Sequence, residues 1–595
     1  MNRLVELRKI MAGNGFDAWL VPSTDPHQSE YLPDYWKRRA FLTGFSGSAG
    51  DAVILMDKAG LWTDSRYFIQ AETELEGTGI ELHRLMTPGV ISISDYLLAN
   101  LKPGSVVGFD SEIMLEDACS ELGATLLKGG ISLKPSRENI IDSIWEGRPD
   151  FPDSTIFPLG IEFTGESAEA RLTKIRGFIA QNNASAMIFA GLDEIAWITN
   201  LRGSDIDYNP FFISYLIVTP DNAFLYTGIN KVSEETWKTV GNLVEFQPYY
   251  QFYEDLESLF EKNAKVLMDR NFLTVRISGH LKNNARAIAV DSPVPLWRSL
   301  KNETELEGMR KSHVRDGVAL VRFFKWLYES LENGVRITEY EASNKIDEFR
   351  SQMPLSHGPS FETISAFGPH GAIVHYTSTP ETDVDIKKDG IFLLDSGGQY
   401  SDGTTDITRT VVIGTPTSHE KTMFTAVLAG HIDLARAVFP EGTSGKQLDT
   451  LARKPLWDMG LNYGHGTGHG VGMFSGVHEG PQAISFYRCR GVAMQKGMIT
   501  TNEPGYYEPG KFGIRIENVY ETVVNRPADE KASAFLGFKN LTWFPIDNKL
   551  IDYSLLSEVQ ADWVKQYNRQ CVEILKDHLS EDELKWLENY IVNVL

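Results

Sequence analysis

Apolar residues in the first half of the chain gather in short, nearly unbroken runs, the pattern of strands buried on both faces. Residues 16–22 (FDAWLVP) predict a strand, as do 52–56 and 60–63. An aromatic-rich turn ending in Gly-Ser, 41–48 (FLTGFSGS), lies between the first two. The same order recurs: a strand at 186–190 (AMIFA), a turn at 197–204 (WITNLRGS), then strands at 212–218 and 223–227. A helical stretch precedes each copy, at 5–12 and 168–180. This repetition predicts an internal duplication of one α/β unit. Three prolines in 148–158 (RPDFPDSTIFP) read as a linker, and 291–295 (DSPVP) leads into a strong helix start. Asn302 with Glu305 forms a capping-box pattern, the helix should stop at Asn333-Gly334, and Thr338 with Glu341 opens the next. Phe323, Phe324, Trp326 and Tyr328 on the first of these helices read as core packing. The predicted architecture is α/β and α+β multidomain: related α/β domains over 1–150 and 151–300, then a mixed domain with a C-terminal extension over 301–595.

Composition narrows the class. A length of 595 residues allows three or four domains, and 42% apolar content supplies several cores. The 57 Lys+Arg against 80 Asp+Glu leave a net charge of −23, which argues against binding nucleic acid or docking on anionic lipid. Cys119, Cys489 and Cys571 lie far apart without a CxxC pair, so neither a disulfide framework nor a thiolate zinc site is implied. The N-terminal residues 1–9 (MNRLVELRK) mix charges and lack the apolar segment of a secretory signal. No apolar run reaches the ~18 residues of a membrane span. A cytoplasmic location is expected.

Chemistry concentrates in the last half. Eight of the 13 histidines lie between His357 and His478, which points to a site there. Residues 391–413 (IFLLDSGGQYSDGTTDITRTVVI) are two β-rich runs around a turn. A hairpin centred between Tyr400 and Ser401 would put Asp395 and Asp406 opposite each other, where a cation would relieve their repulsion. In 464–472 (GHGTGHGVG) glycine alternates, so an extended chain carries His465, Thr467 and His469 on one face and no side chains on the other. Two such imidazoles suit a metal ligand and a proton-transfer partner. Glu503 and Glu517 lie symmetrically about Gly510, and Arg515 shares a face with Glu517, which it is expected to steady. Two Asp, one His and two Glu without a thiolate suit Mn2+, Fe2+, Co2+ or Zn2+. Four carboxylates neutralise two divalent ions, which favours a dinuclear site with metals about 3.5–4 Å apart. Residues 442–446 (GTSGK) have the wrong spacing for a phosphate loop, His478-Glu479 lacks the second histidine of HExxH, and 44–48 (GFSGS) is no nucleophile elbow.

These motifs resemble the pita-bread metallopeptidases, the methionine aminopeptidase, prolidase and aminopeptidase P group. Residues 193–197 (DEIAW), 201–205 (LRGSD), 477–481 (VHEGP) and 541–547 (LTWFPID) narrow the resemblance to three-domain aminopeptidase P of the cytosolic type. It covers nearly the whole chain and implies two creatinase-N-terminal-like domains before a pita-bread catalytic domain. It further implies two divalent metals, Mn2+ above others, and a homodimer. The implied reaction removes an N-terminal residue before proline by a hydroxide held between the metals. By resemblance, Asp395 chelates one metal, His469 and Glu503 the other, and Asp406 and Glu517 bridge both. Glu503 also handles the water's proton, while His375, His465 and His478 hold and polarise the scissile carbonyl and shuttle protons. Arg515 stands behind the ligands. His357, His370, His419 and His431 receive no role. Tyr506, Tyr507 and Phe367 are open between a proline pocket and core packing. The alternatives are a prolidase-type dipeptidase and a non-catalytic peptide-binding module.

Overall fold

A computed structural model describes residues 3–487, 491–528 and 532–592; Met1, Asn2 and Cys489 lie outside the described residues. The chain forms two compact units, Met1–Gly160 with Glu166–Pro293, and Ile161–Gly165 with Val294–Leu595.

The first unit holds two six-stranded sheets. One contains β1 (Ala18–Val21), β2 (Asp51–Leu55), β3 (Ala59–Thr63), β4 (Glu81–Arg84), β5 (Val106–Asp110) and β6 (Ser132–Ser136) in the order β4-β3-β2-β1-β5-β6. The other contains β7 (Ala186–Phe189), β8 (Tyr215–Val218), β9 (Ala223–Thr227), β10 (Glu245–Pro248), β11 (Ala264–Asp269) and β12 (Ala285–Val290) in the order β10-β9-β8-β7-β11-β12. Corresponding pairs share one sense in the two sheets. The two central hairpin pairs are antiparallel and the flanking pairs parallel. The apolar runs are strands because both faces are covered; all four residues of β1, β7 and β8 are buried.

Helices α1 (Arg3–Asn14) and α3 (Ala168–Gln181) precede the copies as the pattern predicts. The aromatic-rich segments differ from expectation. They are the ends of helices α2 (Arg38–Thr43) and α4 (Leu192–Thr199), not turns between strands. Each helix closes on a left-handed residue, Gly44 at φ 79° and Asn200 at φ 54°. These occupy the same place in FLTGFSGS and WITNLRGS, and Gly and Asn are the residues that enter this conformation at least cost. The proline-bearing linker is also packed rather than slack. Phe151 lies 5.4 Å from Tyr35, 5.4 Å from Trp36 and 5.3 Å from Tyr249, and Ile156 is fully buried.

The longest helix of the second unit, α5 (Glu303–Glu332), carries the expected capping box at Asn302 and Glu305 and stops at Asn333, with Gly334 at φ 75°. Thr338 and Glu341 cap α6 (Glu339–Ser351) in the same way. Phe323 and Phe324 are fully buried and Trp326 and Tyr328 partly so, all within one core. Burying each such phenylalanine contributes about 1.5–3 kcal/mol. Against this core lies a three-stranded sheet, β13 (Ile364–Phe367), β14 (Gly390–Ser396) and β17 (Ile407–Ile413), with β15 (Gly398–Tyr400) and β16 (Gly403–Thr404) extending the hairpin. Phe392 and Leu394 of β14 join the aromatic core, while Ile391, Leu393 and Asp395 alternate onto the other face. Helices α7 (Ser418–Ala435) and α8 (Gly445–Asp458) follow. A six-stranded sheet then runs β18-β25-β24-β21-β19-β20, from β18 (Val438–Pro440), β19 (Gly468–Gly470), β20 (Glu479–Ile484), β21 (Ile499–Asn502), β24 (Asn518–Arg526) and β25 (Phe535–Asn540). A two-stranded ribbon pairs β22 (Gly505–Glu508) with β23 (Phe512–Arg515).

Candidate metal centre

The aspartate hairpin brings its carboxylates to one face, in a register that differs from the expected one. Asp395 pairs with Thr408 and Ser396 with Ile407, and β15 and β16 continue with Tyr400 against Gly403. The turn is therefore Ser401-Asp402, one residue beyond the predicted centre. Asp406 stands two places from the partner of Asp395, diagonal rather than opposite, and period-two alternation keeps both on the same side. Tertiary packing sets this turn. Arg315 of α5 pairs with Asp402, and a Cβ on Gly308 of α5 would stand 2.3 Å from the Asp402 carbonyl oxygen. Docking on α5 thus overrides the symmetry of the two aspartates.

Of the glycine-spaced histidines, His469 lies in β19, while His465 precedes it in a bend rather than in the expected extended strand. A Cβ on Gly468 would meet the Thr501 carbonyl oxygen at 2.1 Å, and one on Gly470 the Glu479 carbonyl oxygen at 2.0 Å. The bare face admits neighbouring backbone, while His469 projects from the other. The two glutamates stand at a joint between sheets. β21 pairs with β24 in the register Asn502 to Asn518, and β22 with β23 in the register Gly505 to Arg515. Both ladders share one register, so Glu503 and Glu517 face each other in the gap between them. Ile514 and Ile516 point into a core with Ile391 and Val412.

These elements converge. Single ligand atoms of Asp406, His469 and Glu517 all lie within 4.8 Å of one another. His469 Nε2 is 3.4 Å from Asp406 Oδ2 and 3.6 Å from Glu503 Oε1. The Glu503 N–H donates to the Thr467 carbonyl at 2.7 Å. His478 meets His469 edge to face at 4.3 Å between ring centres, and His465 Nδ1 is 3.9 Å from Glu503 Oε2. His375 is half-buried, next to Val374, whose carbonyl accepts from Arg515 Nη2 at 3.4 Å. Arg515 itself departs from expectation. Its guanidinium donates to Asp395 Oδ2 at 2.6 and 3.0 Å, and Glu517 is held instead by the Thr408 hydroxyl at 2.8 Å. Thr408 lies two residues after Asp406 on the same strand face, a signal that alternation alone could have supplied. The hydroxyl of Tyr507 links Arg515 Nη1 at 2.7 Å to His465 Nε2 at 2.8 Å. Of the other aromatic candidates, Tyr506 bonds Glu508 and Phe367 packs in the core.

Four carboxylates buried together are electrostatically costly. Burial, then the charges of Asp406, Asp395 and Glu503, pushes Glu517 well above the usual carboxylate range. Burial also raises Asp395, opposed by Arg515, and lifts Glu503 to about 7. His469 is driven the other way: against its burial, the hydrogen bond to Asp406 and the charge of Glu503 hold it at about 9. Asp395 Oδ1 is buried without a hydrogen-bond partner among the described residues. An orphaned carboxylate oxygen, four crowded acids and an imidazole fit a pair of divalent cations.

The remaining histidines bond elsewhere, His357 to Ser401, His370 to Glu339 and His419 to Glu508. His431 is fully buried, with Nδ1 donating to the Ile516 carbonyl at 3.2 Å and Nε2 accepting from the Tyr520 hydroxyl at 3.1 Å. Burial and Arg409 lower it from 6.5 to about 3. Above pH 6.5 both folded and unfolded forms keep it neutral. Between about 6.5 and 3 only the unfolded form takes up the proton, so stability falls as pH falls. From pH 7.5 to 5.5 this group alone is expected to remove about 1 kcal/mol. Urea titrations at the two pH values should show that His431→Gln, which can keep both hydrogen bonds, lacks this loss; an equal loss in the variant overturns the assignment.

The family model of metallopeptidase family M24 matches residues 307–523, and that of the C-terminal region of peptidase M24 matches 534–593. Two models of the creatinase/prolidase N-terminal domain match 3–142 and 147–305. The chain is 42% identical over 596 residues to a probable Xaa-Pro aminopeptidase P of Laccaria bicolor, covering 98% of this chain and 92% of that protein. It is 40% identical to aminopeptidase P2 of Arabidopsis thaliana, covering 99% and 88%. The crystal structure of an X-prolyl aminopeptidase from Caenorhabditis elegans, described as a cytosolic enzyme with a di-nuclear active site, superposes with a TM-score of 0.94 at 38% identity, covering 99% and 98%. An Xaa-Pro dipeptidase from Bacillus anthracis shares the fold at 21% identity and a TM-score of 0.51, covering 64% of this chain and 99% of its own.

Proposed function

Since the chain belongs to metallopeptidase family M24, with two creatinase-type N-terminal domains before its catalytic domain, we propose that it is a metal-dependent aminopeptidase that cleaves the bond between an N-terminal residue and a penultimate proline. The observation that carries this reading is whole-chain likeness. Relatives and a solved structure at 38–42% identity, matched over 98–99% of this chain, are Xaa-Pro aminopeptidases, and the match includes both leading domains. The Xaa-Pro dipeptidase of Bacillus anthracis, by contrast, covers 64% of this chain. Domain limits at 1–150, 151–300 and 301–595 belong to the same proposal, as do a homodimer and a cytoplasmic location. The latter is supported by the description of the C. elegans neighbour. No helix among the described residues is long and apolar enough to cross a membrane.

Asp395, Asp406, His469, Glu503 and Glu517 would hold the two cations; the oxygen-rich donor set suits Mn2+, Fe2+, Co2+ or Zn2+, and the family resemblance puts Mn2+ first. Bound there, the ions would supply Lewis acidity and an acidified water. The chain's own groups do the rest. Thr408 and Arg515 fix the carboxylates of Glu517 and Asp395, so the acids are oriented before substrate arrives. Glu503, between His469 and His465, would take a proton from the attacking water and return it to the departing nitrogen. His375, His465 and His478 would hold and polarise the scissile carbonyl. A bond before proline has no N–H, so recognition falls on the ring rather than on a backbone hydrogen bond.

Incubation of the Mn2+-loaded protein with Arg-Pro-Pro should release free arginine, at a rate at least tenfold above that from Arg-Pro. Release from a Met-Ala peptide but not from Arg-Pro-Pro would overturn the proline assignment. Preference for Arg-Pro would establish the dipeptidase instead.

A further inference from the structure

Thr467 lies between His465 and His469 in the glycine-spaced segment, and its hydroxyl bonds other groups. It donates to Asp449 Oδ1 on α8 and accepts from the Tyr463 hydroxyl at 2.5 Å. Asp449 in turn accepts at 2.6 Å on Oδ2 from Nε of Arg453, four residues along the same helix. The other nitrogens of Arg453 grip the backbone that leads into the histidines. Nη1 donates to the Tyr463 carbonyl at 2.8 Å and the Asn462 side chain at 2.9 Å, and Nη2 donates to the His465 carbonyl at 2.6 Å. The guanidinium also lies 3.9 Å from the centre of the Tyr463 ring. Asp449, Arg453, Tyr463 and Thr467 are all 3% exposed or less.

The strand needs this support. β19 is only three residues long; it meets β21 through the single pair Gly470 and Thr500, and β20 through Gly468, His469 and Gly470 with an irregularity after His469. A ladder that short does not orient His465, which lies before its first residue. The Thr467 carbonyl accepts the N–H of Glu503, so Thr467 ties the histidine segment directly to Glu503. A buried ion pair is a poor source of stability, because an apolar pair of similar volume does as well. Its planar fork supplies direction, several fixed bonds from one rigid group. We propose that Asp449 and Arg453, acting through Thr467, are positioning residues that hold the histidine strand in register with Glu503.

The proposal rests on the metal-dependent aminopeptidase reading, and its test separates the two. Thr467→Val keeps the shape and removes the hydroxyl; Thr467→Ser keeps the hydroxyl. Thr467→Val is expected to lower kcat 10- to 100-fold with KM within threefold of wild type. It should weaken the second Mn2+ at least tenfold in a competition titration with a fluorescent chelator. Thr467→Ser should stay within threefold on all three, and the unfolding midpoint of metal-free Thr467→Val should match wild type. Wild-type kcat and Mn2+ affinity in Thr467→Val, equal losses in Thr467→Ser, or losses that track a lower unfolding midpoint would each overturn it. Should Thr467→Val fail to fold, Arg453→Lys, which keeps the charge but not the fork, is read in the same way. A wild-type protein inert on Arg-Pro-Pro sinks the aminopeptidase reading alone, since the Mn2+ titration still decides the placement of His469.

Discussion

Asp406→Asn is expected to abolish peptidase activity, lowering kcat/KM at least about 1,000-fold, and to reduce bound Mn2+ from two per chain to one or fewer. Asn keeps the size of the side chain and loses the charge that would help hold the cations. Stability should move in opposite directions with and without metal. In the metal-free protein Asp406 is among the charges that push Asp395, Glu503 and Glu517 upward, so its removal relieves repulsion. Metal-free Asp406→Asn should therefore unfold at a higher temperature than metal-free wild type. With Mn2+ present the order reverses, because a protein that binds its ligand more weakly gains less stability from it. Metal analysis, unfolding scans in chelator and in Mn2+, and peptide hydrolysis check all three parts. Two tightly held ions with wild-type activity would remove Asp406 from the centre.

Gly468→Ala should be nearly as damaging although it adds only a methyl group. That methyl would lie 2.1 Å from the Thr501 carbonyl oxygen, which belongs to strand backbone and cannot rotate away. The strands must part, and His469 moves with them. A loss of about 3 kcal/mol or more is expected, with weaker Mn2+ binding and activity at least 100-fold down. Gly466→Ala is the contrast two residues earlier. Its nearest neighbour is the Ser485 side chain at 3.4 Å, ordinary contact, so activity should stay within threefold. Equal damage at the two positions would show that strand entropy, rather than backbone approach, explains the alternating glycines.

What could be read from the sequence was local. Capping boxes at Asn302 and Thr338 involve residues three apart, and the alternation of histidine with glycine declares its own face. The left-handed helix ends at Gly44 and Asn200 were equally local, but the aromatic residues before them resembled a turn between strands. What could not be read depends on distant packing. The aspartate turn is fixed by α5, more than 80 residues earlier. Arg515 finds Asp395 across 120 residues rather than Glu517 two positions away. The Asp449–Arg453 pair precedes its histidines and looks like any charged pair on a helix surface until its burial is seen. Periodicity gives the face on which a side chain stands, and the partner on that face is a matter of tertiary structure.

The two carboxylate hairpins also bear on how the molecule comes together. Asp395 and Asp406 are joined through one hairpin, and Glu503 and Glu517 through another, each closing over fewer than about 25 residues, whereas His469 reaches them only through long-range contacts. Hairpins of this kind close in about 1–10 μs, well before contacts of high sequence separation are made. The acids are thus paired while water still screens them, and their repulsion grows only as the domain closes over them. Assembly of the centre is in this sense expected to be hierarchical, the two acidic hairpins forming before the histidine strand joins them.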